Sequence, residues 1–190
     1  MKKIAFVLLV LFHGAMTHAQ DFQKRKATVL PSSDLTIIGD SNIAAFQCEF
    51  DTSYLEGAQT ITYRQTGNTI NFNGAVLSLH NRGFNCGSKG INRDFHDLLK
   101  SDAYPKIRLE VNKIDLSSST QGSAHVIITI AGKHRTYNVP IKIKTGEISE
   151  FKGRLEVNIK HYDLEPPKKL FGMIVVKENI EIEFDLHVKI

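Results

Sequence analysis

Hydrophobic and polar residues alternate with a period of two through most of the C-terminal half of the chain. Ile180, Ile182, Phe184, Leu186, Val188 and Ile190 interleave with Glu181, Glu183, Asp185, His187 and Lys189. Leu155, Val157 and Ile159 repeat the pattern, as do Tyr137, Val139, Ile141 and Ile143, and Ile107, Leu109 and Val111. Successive side chains on a strand point to opposite faces, so each stretch predicts an antiparallel strand with one face toward a core and one toward water. Ala131-Gly132-Lys133-His134 predicts a hairpin between strands at 126–130 and 135–144. Thr145-Gly146-Glu147 predicts the next turn, and residues 117–122 a polar loop. Pro140 has no N–H to give a ladder and so predicts an edge or a bulge.

The N-terminal half is less regular. Strands are predicted at 35–38, 43–50, 59–65 and 75–80, separated by Gly57, Gly67-Asn68 and Asn73-Gly74. One segment changes period: Ile91, Phe95, Leu98 and Leu99 fall at helical spacing. This predicts a short helix from Asn92, as N-cap, to Lys100, closed by Tyr104-Pro105. About eight strands in one sheet leave exposed edges unless the sheet closes or folds on itself, so the pattern implies a barrel or a sandwich.

The first nineteen residues follow another logic. Met1-Lys2-Lys3 is positive, residues 4–12 are uniformly apolar, and Thr17 and Ala19 are small residues three and one before Gln20. This is the order of a cleavable secretory signal. Nine apolar residues fall short of the roughly 20 needed to span hydrocarbon. The expected organisation is therefore a signal peptide at 1–19 and a single domain at 20–190, periplasmic or secreted after cleavage near Ala19. Without Lys2 and Lys3 the formal charge drops from +4 to about +2, which removes the case for a nucleic-acid partner. Lys24-Arg25-Lys26 reads as a solvated tail. In an oxidising compartment Cys48 and Cys86 can form a disulfide; two reduced buried thiols are the other reading.

Catalytic and metal-binding patterns are missing. His80, His96, His125, His134, His161 and His187 have no paired metal-ligand spacing, and there is no G-x-S-x-G elbow. Gly87-Ser88-Lys89-Gly90 lacks the remainder of a phosphate loop. Asp163 and Glu165 are close enough to form an acid pair, but such pairs usually solvate a loop. An enzyme would need at least three polar groups converging in one pocket.

Longer motifs carry a family resemblance. Residues 85–107, with Leu99-Lys100-Ser101-Asp102-Ala103-Tyr104-Pro105-Lys106-Ile107, resemble the helix-to-strand segment of the YceI-like family, which reads L-K-S-x-x-Y-P-x-I. Residues 128–135 resemble that family's hairpin, 155–164 its penultimate strand and 180–188 its closing strand. Order and spacing agree from about residue 34 to the C-terminus. The front end, Gly39-Asp40-Ser41-Asn42-Ile43-Ala44-Ala45-Phe46-Gln47-Cys48, and the insert at 166–172 resemble a branch with a G-x-S-N-x-x-F-x-C opening.

The resemblance implies a mostly β protein: an extended, antiparallel, lipocalin-like β-barrel of about eight strands with one short helix. It also implies a non-enzymatic carrier that holds a long-chain isoprenoid or similar amphiphilic lipid, with no other cofactor, no metal and no catalytic set. Transient membrane contact is expected, and the oligomeric state, up to a homodimer, is open. The residues chosen to line the interior are Phe46, Phe50, Phe72, Phe84, Phe95, Leu98, Leu109 and Val111. The rival reading is a solid barrel, filled by Phe and Leu, that serves as an interaction or stress-response module.

Overall fold

A strand with one greasy face can hide it by curling the sheet until its edges meet, and this chain does so. The structure, a computed structural model, describes residues 22–169 and 174–190. The signal segment and the end of the 166–172 insert, residues 170–172, lie outside the described residues. The strands are β1 (Gln23–Val29), β2 (Asp34–Gly39), β3 (Phe46–Phe50), β4 (Gln59–Thr66), β5 (Thr69–Asn73), β6 (Val76–His80) and β7 (Phe84–Asn85). Helix α1 (Lys89–Leu98) follows, then β8 (Lys106–Leu116), β9 (Gln121–Ile130), β10 (Lys133–Lys144), β11 (Ile148–Asn158), β12 (Lys168–Lys169), β13 (Ile174–Val175) and β14 (Asn179–Lys189).

Eight strands close a ring in the order β1-β4-β5-β8-β9-β10-β11-β14, and β14 returns to β1 through Thr28↔Lys189 and Val29↔Val188. All of these pairings are antiparallel. Two strands of the ring share an edge with a second strand. On β14, β1 takes residues 188–189 and β2 takes 181–185. On β8, β5 takes 113–115 and β6 takes 106–110. One end of the wall therefore closes through β1-β4-β5, while at the other end β2, β3 and β7 extend from β14.

Local chemistry explains the main turns. Ala131 (φ 46°) and Gly132 (φ 77°) form the two-residue loop between β9 and β10. The Tyr104 ring lies over Gly132 so closely that an added Cβ would sit 2.8 Å from it. Pro105 O and Tyr104 O accept from the backbone N–H and the side-chain amide of buried Asn81, each at 2.9 Å. The Tyr-Pro motif thus ties the end of α1 to the hairpin and to the turn after β6. At Pro140 the edge expectation meets a simple geometry: the β10–β11 ladder runs over residues 141–144 of β10 and does not include Pro140, which has no N–H to donate.

Three expectations change. Lys24, Arg25 and Lys26 do not form a free tail; they pair with Thr62, Ile61 and Thr60 of β4, because Ala27 and Val29 on the same strand need the interior. Residues 69–73, where the pattern predicts no strand, form β5. Helix α1 begins a turn early, at Lys89: Ser88 Oγ accepts from Ile91 N (3.2 Å), so Ser88 is the N-cap. Asn92 lies inside the helix and accepts from Cys86 N at 2.6 Å.

Candidate functional site: the barrel interior

Alternation sends one side chain in every two from each strand of the ring toward a common axis. Ala27 and Val29 come from β1, Ile61 from β4, Phe72 from β5 and Leu109, Val111 and Ile114 from β8. Ala124, Val126 and Ile128 come from β9, Val139 and Ile141 from β10, Phe151 and Leu155 from β11, and Ile182, Phe184, Leu186 and Val188 from β14. On β8 the register shifts between Val111 and Lys113, so Val111 faces Val126 while Lys113 faces His125. This bulge reverses the alternation: Val111 and Ile114 both point inward although three residues apart.

The interior is hollow. These side chains surround a cavity of about 190 Å3, and Gln59 is the one polar residue that lines it. Phe72, Leu109, Val111, Phe151, Leu155, Leu186 and Val188 line the cavity and are only half-buried. A filled core would leave them no contact with solvent-sized space. The volume is of the order of the roughly 150 Å3 that admits benzene in an engineered apolar cavity.

Of the eight residues expected here, Phe72, Leu109 and Val111 line the cavity. Phe46, Phe50, Phe84, Phe95 and Leu98 do not, and the reason is topological. They lie on β3, β7 and α1, outside the ring. Phe50, Phe84 and Phe95 stack on one another, with centroids 4.9 and 5.2 Å apart, and are 7%, 3% and 8% exposed. Leu98 packs partly buried against the same core. The Phe46 ring covers Gly39, its cross-strand partner, where an added Cβ would clash. Beside this plug Cys48 and Cys86 are joined in a disulfide that extends the β3–β7 ladder by one pair. The eight expected residues leave out the aliphatic majority of the lining, which the alternation on β11 and β14 marks.

Beside the cavity lies a second recess of about 350 Å3, bordered by residues 56–59, by β6 and by Arg108. It shares Ala27, Val29, Gln59, Val76 and Leu77 with the cavity. A larger concavity, about 760 Å3, lies on the outer face over β10, β11 and β14. Four of its charges are paired with one another, Lys152 with Asp185 (2.7 Å) and Arg154 with Glu183 (2.5 Å), and it is an open dish. The apolar cavity is the better candidate for a ligand site.

Polar clusters occur on the outside. Asp115 accepts from Lys113 (2.9 Å) and Thr69 (2.8 Å), with His125 Nε2 at 2.7 Å, and these neighbours hold its carboxyl down at about 2. Ser32 Oγ lies 2.7 Å from His187 Nδ1, and Asp185 Oδ1 3.4 Å from His187 Nε2. His125, Asp115, Asp185 and His187 do not line the cavity. Buried Tyr162 donates to Tyr137 (3.2 Å), and burial pushes its phenol well above the usual range. Among the described residues no three of His, Cys, Asp and Glu converge as a metal site, and no helix is long and apolar enough to cross a membrane.

Comparison with known proteins follows the same lines. The family model for the YceI-like domain matches residues 59–188. BcnA of Burkholderia cenocepacia is similar in structure, with a TM-score of 0.65 and 16% identity over 83% of this chain and 96% of that one. A polyisoprenoid-binding domain from Saccharophagus degradans, implicated in plant cell wall breakdown, gives 0.60 and 10% over 86% and 97%. The YceI protein of Campylobacter jejuni gives 0.52 and 10% over 98% and 97%. No curated protein matches the sequence.

Proposed function

The chain belongs to the YceI-like family, and from that premise we propose that it is an exported, non-catalytic carrier or sequestering protein for a long-chain isoprenoid or similar amphiphilic lipid. The observation that carries this reading is the hollow barrel: apolar side chains from every strand of the ring face a shared cavity, and those from β1, β5, β8, β11 and β14 are left partly uncovered. Apolar surface moved out of water contributes roughly 25 cal/mol per Å2, so a hydrocarbon tail gains affinity there without any special residue. The description of the Saccharophagus degradans neighbour as polyisoprenoid-binding supports the choice of tail.

Export rests on the residue order at 1–19. The Cys48–Cys86 disulfide supports it, since such bonds persist in oxidising compartments such as the periplasm. The same compartment is where a lipid crossing water needs a carrier.

The size of the cavity favours a second reading. At about 190 Å3 it falls below the roughly 300 Å3 at which drug-sized ligand sites begin. A long tail enters only if the wall widens; a protein whose wall does not widen is the interaction or stress-response module instead. Mass spectrometry of an organic extract from protein purified out of its native envelope separates the two. The carrier reading expects one lipid species near one per chain. An extract without stoichiometric lipid, from a protein that also fails to take up added isoprenoid, defeats it.

A further inference from the structure

The ring has a seam in its side. Residues 106–110 of β8 pair with β6 and 113–115 with β5, so the wall passes from one strand to another at Gly74. β6 pairs on one edge with β8, and among the described residues its other edge has no strand partner. Opposite that edge run residues 56–58, which are exposed, and Gly57 has open space where a Cβ would stand. An ion pair from Glu56 to Lys106 anchors this link across the gap. The recess of about 350 Å3 fills the gap, and five residues border both it and the apolar cavity.

We infer that lipids enter the interior sideways, through this slot between β6 and residues 56–58, and that the slot holds an uncharged hydrogen-bonding head, an alcohol or a carbonyl, rather than a phosphate. This rests on the carrier reading. The route follows from adjacency: Gln59, the one polar residue of the cavity lining, stands where the recess meets it, so a tail beyond Gln59 is in apolar surroundings and a head before it is among polar groups. The head follows from charge. Arg108 and Ser78 line the recess, but the Arg108 guanidinium is shared with Glu110 (3.3 Å) and Lys106 is engaged by Glu56. Two cations meet two carboxylates, which leaves no net positive charge for a phosphate. The hydroxyl of Ser78 and the amide of Gln59 both donate and accept, as an alcohol or a carbonyl requires.

The probe is N-phenyl-1-naphthylamine, an uncharged apolar fluorophore, displaced by farnesol or by farnesyl monophosphate. Ser78→Trp plugs the slot, Ala58→Trp plugs it from the other side should the first variant misfold, and Lys142→Trp on the outer dish is the control. Slowing of probe association by at least about tenfold in a slot variant, with the control unchanged, supports the side entrance. A slot variant, folded by circular dichroism, that takes up probe at the wild-type rate overturns it. Farnesol should displace the probe at least about tenfold more strongly than the phosphate, because a phosphate would leave water with no free cation to meet it. Glu56→Gln with Glu110→Gln should narrow that ratio; equal or stronger displacement by the phosphate in the wild type overturns the head assignment. If wild-type protein binds neither probe nor farnesol, the carrier reading itself falls, a result distinct from either failure above.

Discussion

Phe95→Ala is expected to destabilise the protein by about 3–5 kcal/mol, the range for deleting a buried phenylalanine. Phe95 is 8% exposed, its ring stands 5.2 Å from Phe84, and Phe84 in turn stacks on Phe50. Alanine leaves a ring-sized void beside a disulfide-pinned ladder that has little freedom to collapse. Loss of the tilted ring contact with Phe84 accounts for about 0.5–1.5 kcal/mol of the total. For a domain of this length the change lowers the melting temperature by roughly 6–20 °C. Phe72→Ala is the companion. Phe72 already borders the cavity and is half-buried, so its ring has fewer packing partners to lose; a cost of about 1–2 kcal/mol is expected. With no tryptophan in the chain, urea unfolding followed by far-ultraviolet circular dichroism is the suitable assay, paired with probe binding on each variant. The assignment of plug and cavity requires Phe95→Ala to lose more stability and Phe72→Ala to lose more binding. The reverse order, or a Phe95→Ala cost under about 1.5 kcal/mol, refutes it.

Three further outcomes are expected. Replacing both cysteines by alanine opens a link across 38 residues; the chain-entropy estimate is about 4 kcal/mol, readable as a lower urea midpoint that reducing agent does not lower further. Gly153→Ala places a Cβ 3.0 Å from Pro140 O and against the Phe184 ring; a loss of about 1–3 kcal/mol from overpacking is expected, and an unchanged melting temperature would show that Phe184 swings aside. Asp115 is held down at about 2 by Lys113, Thr69 and His125. A depressed carboxyl contributes stability that is present above its unfolded value and is lost as pH falls through the folded one. The melting temperature of Asp115→Asn should therefore depend less on pH between about 4 and 2 than that of the wild type, and parallel curves would remove Asp115 from the acid response.

How much of this was legible beforehand depends on the range of the interaction. The strands at 126–130, 135–144 and 180–190, and the Ala131-Gly132 turn, were readable because alternation and turn chemistry act between near neighbours in the chain. The family motifs added the ring, and the structure shows why the Tyr-Pro segment is diagnostic: Tyr104 and Pro105 bind α1, Asn81 and the Gly132 turn together. β1 and β5 were missed because Lys24, Arg25 and Lys26, and the asparagines around Phe72, look like solvated chain until a partner strand supplies their backbone bonds.

By itself, then, the sequence determined which residues alternate, where the chain turns, and that the apolar faces need a closed sheet. Only the tertiary structure decided which aromatics fill and which residues line. Phe50, Phe84 and Phe95 have the same chemistry as Phe72, yet three belong to a plug on β3, β7 and α1 and one to the ring. It also decided the bulge between Val111 and Lys113 and the shared edges of β8 and β14. The physical reason is that a period of two encodes the side of the sheet and nothing more. Whether the inward side is filled or hollow depends on the sum of side-chain volumes against the girth of the ring, a quantity that exists only once strands distant in the chain have closed on one another.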